Sequence, residues 1–182
     1  MDIVEFLLFI PLLIYGLALS SLLGQWKHLV DVENWYWPYL VTVIVFTEVA
    51  VWNIYGFLDV FNQRAAHSYI SYLADLSAPL LLLLAVNSLV REEADGGGES
   101  VGKVRVITAE GFADRIRSTY FFMGCFVALH LLPQFRADDG SLWVRLPAIV
   151  ILFAIAWSKK TWLVYVLGAV WIFSFASRFM SS

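Results

Sequence analysis

Residues 38–60 read PYLVTVIVFTEVAVWNIYGFLDV, and this stretch decides the fold. As a helix rising about 1.5 Å per residue, it is long enough to cross the roughly 30 Å hydrocarbon layer of a bilayer. Only Glu48 and Asp59 carry charge in it, and its apolar residues surround the helix axis instead of forming the single stripe of a soluble amphipathic helix. Glu48 lies ten residues in from Pro38. At that depth an uncompensated charge costs about 2.5 to 3.5 kcal/mol on insertion scales, so such a residue is retained for packing or for function.

Working outward, five more apolar blocks follow the same pattern: 3–24, 68–90, 118–132, 142–158 and 162–180. The chain is 60% hydrophobic and 15% charged with a mean hydropathy of +0.75, well above what one soluble core requires. The expected fold is therefore all-α, a polytopic membrane bundle of about six helices, with residues 1–182 forming a single transmembrane domain. The blocks at 118–132 and 142–158 approach the lower limit of about 17 residues for a span. The first of them can borrow length from the segment before it, because Phe112, Ala113, Ile116 and Tyr120 fall at helical spacing on one side. The run from Ile3 to Gly24 is too long for a signal-peptide core and reads as a retained span.

Orientation follows from the basic residues. Lys27, Arg91, Lys103, Arg105, Arg115, Arg117, Lys159 and Lys160 fall in the first, third and fifth connections, while Arg64, Arg136, Arg145 and Arg178 fall on the opposite side. That eight-to-four bias puts both termini outside and the connection 91–117 in the cytoplasm. Trp26, Trp35, Trp37, Trp143, Trp157 and Trp162 stand at span ends, as an aromatic belt at the headgroups requires. Gly96, Gly97 and Gly98 after Glu92, Glu93 and Asp95 read as a flexible acidic linker. No Asn-x-Ser/Thr acceptor occurs, which favours a bacterial source or short unglycosylated outer loops, and the expected location is a bacterial plasma membrane. Acidic loops and a Trp-Pro pairing after the first and fourth spans hint at a weak 3+3 inverted repeat, with chance resemblance the better reading.

Chemistry is sought among polar residues inside the spans. Glu48, Trp52, Tyr55 and Asp59 share one face of the second span, and Ser68, Ser71, Tyr72 and Asp75 one face of the third. If these faces converge with Asn53 and with His130 of the fourth span, they line an acidic pocket open to the outside, with His130 as a titrating partner. Pro11 and Pro79 each free a helix carbonyl and can kink their spans. Gly16-x-x-x-Ser20 and Ala74-x-x-x-Ala78 permit close helix approach.

Several classes are excluded by pattern. A net charge of −3 with scattered basic residues gives no footprint for nucleic acid. Cys125 is the sole cysteine, and no metal, phosphate-loop or hydrolase motif occurs, so no catalytic residue, metal or cofactor is expected. The expected function is a small transporter or channel-type protein that binds a cation, proton or small polar solute at Glu48 and Asp75. The alternatives are a non-catalytic accessory or scaffold subunit of a larger membrane complex and, third, an intramembrane enzyme or cofactor carrier using His130 with Asp75. The expected partners are the lipid bilayer and either a homo-oligomer or a membrane-complex subunit.

Overall fold

The computed structural model describes residues 3–29, 36–63, 69–90, 109–131 and 142–180. Six helices account for almost all of them: α1 Ile3–Leu29, α2 Trp37–Gln63, α3 Tyr69–Val90, α4 Ala109–Leu131, α5 Leu142–Ser158 and α6 Trp162–Met180. Among the described residues there is no strand. The fourth helix starts at Ala109 rather than Ser118, so residues 109–117 are helix and not loop. The reason is the stripe that continues upstream, since Phe112, Ile116 and Tyr120 are all buried on one face. Residues 91–108, with the glycine run, lie outside the described residues, as do Trp35, Ser68 and the side chains of Asp59, Ser71 and Trp143.

Local chemistry explains how the helices begin, continue and end. Proline at position 38 opens α2 at no hydrogen-bond cost, because first-turn amides have no intrahelical acceptor. Tyr36 O takes the bonds from Tyr39 N and Leu40 N at 3.0 and 3.2 Å. Further along, Thr42, Thr47 and Asn53 each donate to the carbonyl four residues back, Pro38 O, Val43 O and Val49 O, at 2.7 Å. This satisfies the polar side chains within their own helix. Pro11 and Pro79 are both buried inside helices that continue past them. The α5–α6 connection is a tight turn in which Lys159 N donates to Ile155 O at 2.9 Å while Lys159 adopts φ 54°. That is a left-handed helix cap made without glycine.

The principal contacts close a ring in the order α1, α2, α6, α5, α4, α3 and back to α1. Such a ring of small radius needs filling, and α2 and α4, which face each other across it, supply the filling. Phe112 packs edge-on against Tyr36 and Tyr39 at 5.5 and 6.1 Å, and Phe46 against Tyr120 at 5.9 Å. Position numbers rise together along this seam, so α2 and α4 run parallel. The halves do not repeat one another: α1 packs on both α2 and α3, whereas in the second half it is α5 that packs on both α4 and α6.

Large apolar side chains cover the outside as well. Phe9, Leu13 and Leu17 on α1, Ile44 and Val51 on α2, Leu80 and Leu84 on α3, Phe121 on α4, Val150 on α5, and Ile172 and Phe173 on α6 are all exposed. Among the described residues, two helices are long and apolar enough to cross a membrane, through Phe9–Trp26 and Trp37–Phe57. Only 22% and 33% of those windows are buried, whereas the core helix of a soluble protein is mostly buried. Shorter apolar stretches run over Asp75–Val90, Leu146–Ser158 and Trp162–Phe173. Gly16 and Ser20 are exposed, and a Cβ at Gly16 would meet nothing, so this small-residue pair is not a contact between helices of the chain.

Candidate functional site

On α2 the stripe expected to line a pocket faces outward. Buried positions Tyr39, Thr42, Val43, Phe46, Val49 and Ala50 define the inner side of the helix. Glu48 lies on the other side, one turn from exposed Ile44 and Trp52 and two turns from exposed Tyr55. Trp52 and Tyr55 are 49% and 70% exposed, with ring centroids 6.4 Å apart. The two flanks of this face meet different neighbours. Thr47 Oγ1 accepts from Trp26 Nε1 of α1 at 3.2 Å, while Val41, two turns before Glu48, approaches Gly168 of α6. Glu48 thus sits on the α6 flank, half-buried, with Oε2 closed off from the surface. Asn53, turned toward its own helix, bonds Val49 O.

Asp75 belongs to a different neighbourhood. It is half-buried on α3 and close enough to act electrostatically on the buried hydroxyl of Tyr15 on α1. Tyr15 in turn packs against Phe57 of α2 at 6.0 Å. Three residues before Asp75, the hydroxyl of Tyr72 is buried without a hydrogen-bond partner among the described residues. α1 and α6 flank α2 on opposite sides, with Glu48 toward the α6 side and Asp75 within reach of α1. His130 is half-buried, its Nδ1 3.0 Å from Phe126 O and its ring 4.5 Å from that of Phe126, folded back on its own helix.

The interior holds a polar network that patterning along one helix does not expose. Thr42 and Tyr120, 1% and 0% exposed, share a 2.5 Å hydrogen bond across the ring. Nearer the start of α2, Tyr39 Oη donates to Gln25 Oε1 of α1 at 2.8 Å, and Arg115 Nη1 of α4 caps Leu89 O at the end of α3 at 3.2 Å. A signal for it was present in retrospect: Thr42 lies three residues from Tyr39 and one turn from Phe46, the spacing of one inner face. These bonds join helices. Among the described residues, no three His, Cys, Asp or Glu side chains gather as metal ligands would.

No protein-family model matches the chain, and neither does any curated protein or solved structure.

Proposed function

We propose that the chain is a six-span integral membrane protein of a bacterial plasma membrane, with both termini outside, serving as a non-catalytic subunit that binds another membrane protein along the outer face of α2. The observation that carries this reading is the outward display of Trp52 and Tyr55 beside Glu48. Tryptophan and tyrosine are the side chains most enriched where interfaces concentrate their binding energy. A carboxylate at the deep end of the stripe offers several acceptor positions, enough to hold its present contacts and take a donor from a neighbouring helix. Polar contacts of this kind between helices in lipid contribute about 0.6 kcal/mol on average, so the aromatic pair supplies most of the association and Glu48 sets its register. The filled α2–α4 seam further favours a binding role over conduction through the middle of the ring. Membrane insertion itself is supported by the apolar outer surface on all six helices.

The test is photocrosslinking in native membranes from positions 52 and 55, with outward-facing position 17 of α1 as the control. A single adduct from 52 and 55, absent from 17 and weakened by Glu48→Gln, is the expected result. Equal adducts from all three positions would sink the reading.

A second reading, a carrier or channel for a cation, proton or small polar solute, is favoured by Asp75. A half-buried carboxylate within electrostatic reach of Tyr15, with the enclosed Tyr72 hydroxyl a turn away, is the kind of intramembrane polar site such proteins use. Cysteine at position 75 in a Cys125→Ala background tests it. Labelling by a membrane-impermeant thiol reagent from the outside supports solute access, and protection in the folded protein removes it.

A further inference from the structure

We propose that the α5–α6 hairpin tip is a binding site for the phosphate of an anionic phospholipid, with Lys159 and Lys160 as the cationic contacts and Trp157 and Trp162 as the flanking anchors. The inference rests on the membrane reading above but not on a partner protein. From Gly140 to Ser182 the chain contains Arg145, Lys159, Lys160 and Arg178 and no acidic residue, so the charges this hairpin itself carries are all positive. Both lysines are exposed at the tip, and the tryptophans on either side are 89% and 57% exposed. Indoles at this position sit at the level of lipid headgroups, which brings the adjacent ammonium groups to the phosphates.

The turn is built to present those lysines. Ser158 Oγ turns back to donate to Ala154 O at 2.6 Å and accepts from Lys160 N at 3.4 Å, filling the inside of the turn and leaving its outside to the lysine side chains. Lys159 holds φ 54°, a conformation that glycine adopts freely and lysine adopts at a cost. Glycine is the common residue at such a helix end, and its absence here keeps a charge at the tip. Trp26 and Trp37 are exposed at the same end of the bundle, so four outward indoles mark the level of the hairpin tip.

The experiment uses the full-length protein reconstituted in phosphatidylcholine vesicles, with a trace of spin-labelled phosphatidylglycerol or spin-labelled phosphatidylcholine. Electron spin resonance reads the share of each lipid held immobile by the protein. The expected result is a preference for phosphatidylglycerol that falls about fivefold for each lysine neutralised, the equivalent of about 1 kcal/mol per charge near the surface. Lys159→Asn is the informative first change, because asparagine tolerates the left-handed conformation and keeps the turn. Lys160→Gln completes the pair, and Arg117→Gln, an exposed basic residue on α4, serves as the control. Full preference in the Lys159→Asn/Lys160→Gln double variant overturns the proposal, as does an equal loss in Arg117→Gln, which would make the attraction diffuse. Loss of preference on adding inorganic phosphate, but not chloride of the same ionic strength, would reassign the site to a soluble anion. If neither lipid is immobilised, the membrane reading itself fails, whereas equal immobilisation of both defeats only this inference.

Discussion

Replacing Gly168 with alanine tests the α2–α6 register on which the position of Glu48 depends. A Cβ at Gly168 would lie 2.8 Å from Val41 Cγ1. Carbon atoms pack best at about 3.5 to 4.0 Å, so the two helices must separate by about 1 Å or Val41 must turn. Turning is costly, because a β-branched side chain in a helix has one strongly preferred rotamer. Overpacking of this kind costs about 1 to 3 kcal/mol, and alanine returns about 1 kcal/mol of helix propensity over glycine. The net expectation is a loss of about 1 kcal/mol, or roughly 2 to 4 °C in midpoint for a chain of this length. The sole thiol, half-buried Cys125 on α4, provides the assay: its reaction with a fluorogenic maleimide during heating reports opening of the bundle. Val41→Ala in the same chain should recover most of the loss, giving a coupling energy of about 1 kcal/mol in a double-mutant cycle. If Gly168→Ala is stabilising and the cycle shows no coupling, α2 and α6 do not meet at this register and the argument for the outer face of α2 falls with it.

Tyr120→Phe removes the Thr42 hydrogen bond while Thr42 keeps Pro38 O, so thermal unfolding should show a loss of about 1 kcal/mol. Gly124→Ala should cost less than Gly168→Ala by the same assay, because its Cβ meets the half-buried Phe153 ring at 3.1 to 3.2 Å and an aromatic ring can tilt away. Gly16→Ala, with nothing near its Cβ, should be neutral or stabilising by up to about 1 kcal/mol, and a clear loss of stability would mean that α1 packs differently. Trp52→Leu with Tyr55→Leu should leave the melting curve of the purified protein unchanged while abolishing the crosslinked adduct, since both side chains face outward.

Helix existence is legible in the sequence because run length and apolar content decide it locally, but extent only in part: α1 runs on to Leu29 past the expected end at Gly24, taking Lys27 into the helix, and α2 runs on to Gln63 past Val60. The blocks read as 142–158 and 162–180 coincide with α5 and α6, and 68–90 differs from α3 by one residue. The fourth helix was read short because Asp114, Arg115 and Arg117 break the apolar run. Arg115 stays helical by reaching across to the Leu89 carbonyl, a partner 26 residues away that no local window contains. The aromatic rim was legible for the same local reason, since Trp26, Trp37, Trp157 and Trp162 are all exposed at the end where α2, α4 and α6 begin.

The rotation of each helix was not legible, and this changes the site. In a soluble protein a polar stripe marks the outside, and the membrane reading inverted that rule to bring Glu48, Trp52 and Tyr55 inward. Neither rule decides the matter when both faces of a helix are apolar. On α2 the inner face is Tyr39, Thr42, Val43, Phe46, Val49 and Ala50, and the outer face Ile44, Val51, Trp52 and Tyr55 with Glu48 among them, so both faces are mostly apolar or aromatic. The inner face is distinguished by shape and by partners on other helices: the Thr42 hydroxyl reaches Tyr120, Tyr39 reaches Gln25, and Phe46 packs edge-on against Tyr120. These pairings span 14 to 78 residues of sequence. On the proposed membrane reading, association in lipid depends on packing and interhelical hydrogen bonds more than on transfer from water, so such pairs outweigh a single carboxylate in setting rotation. Once Thr42 and Phe46 point inward, Glu48 is carried outward by helical geometry, and the stripe it heads is offered to whatever lies beyond α2.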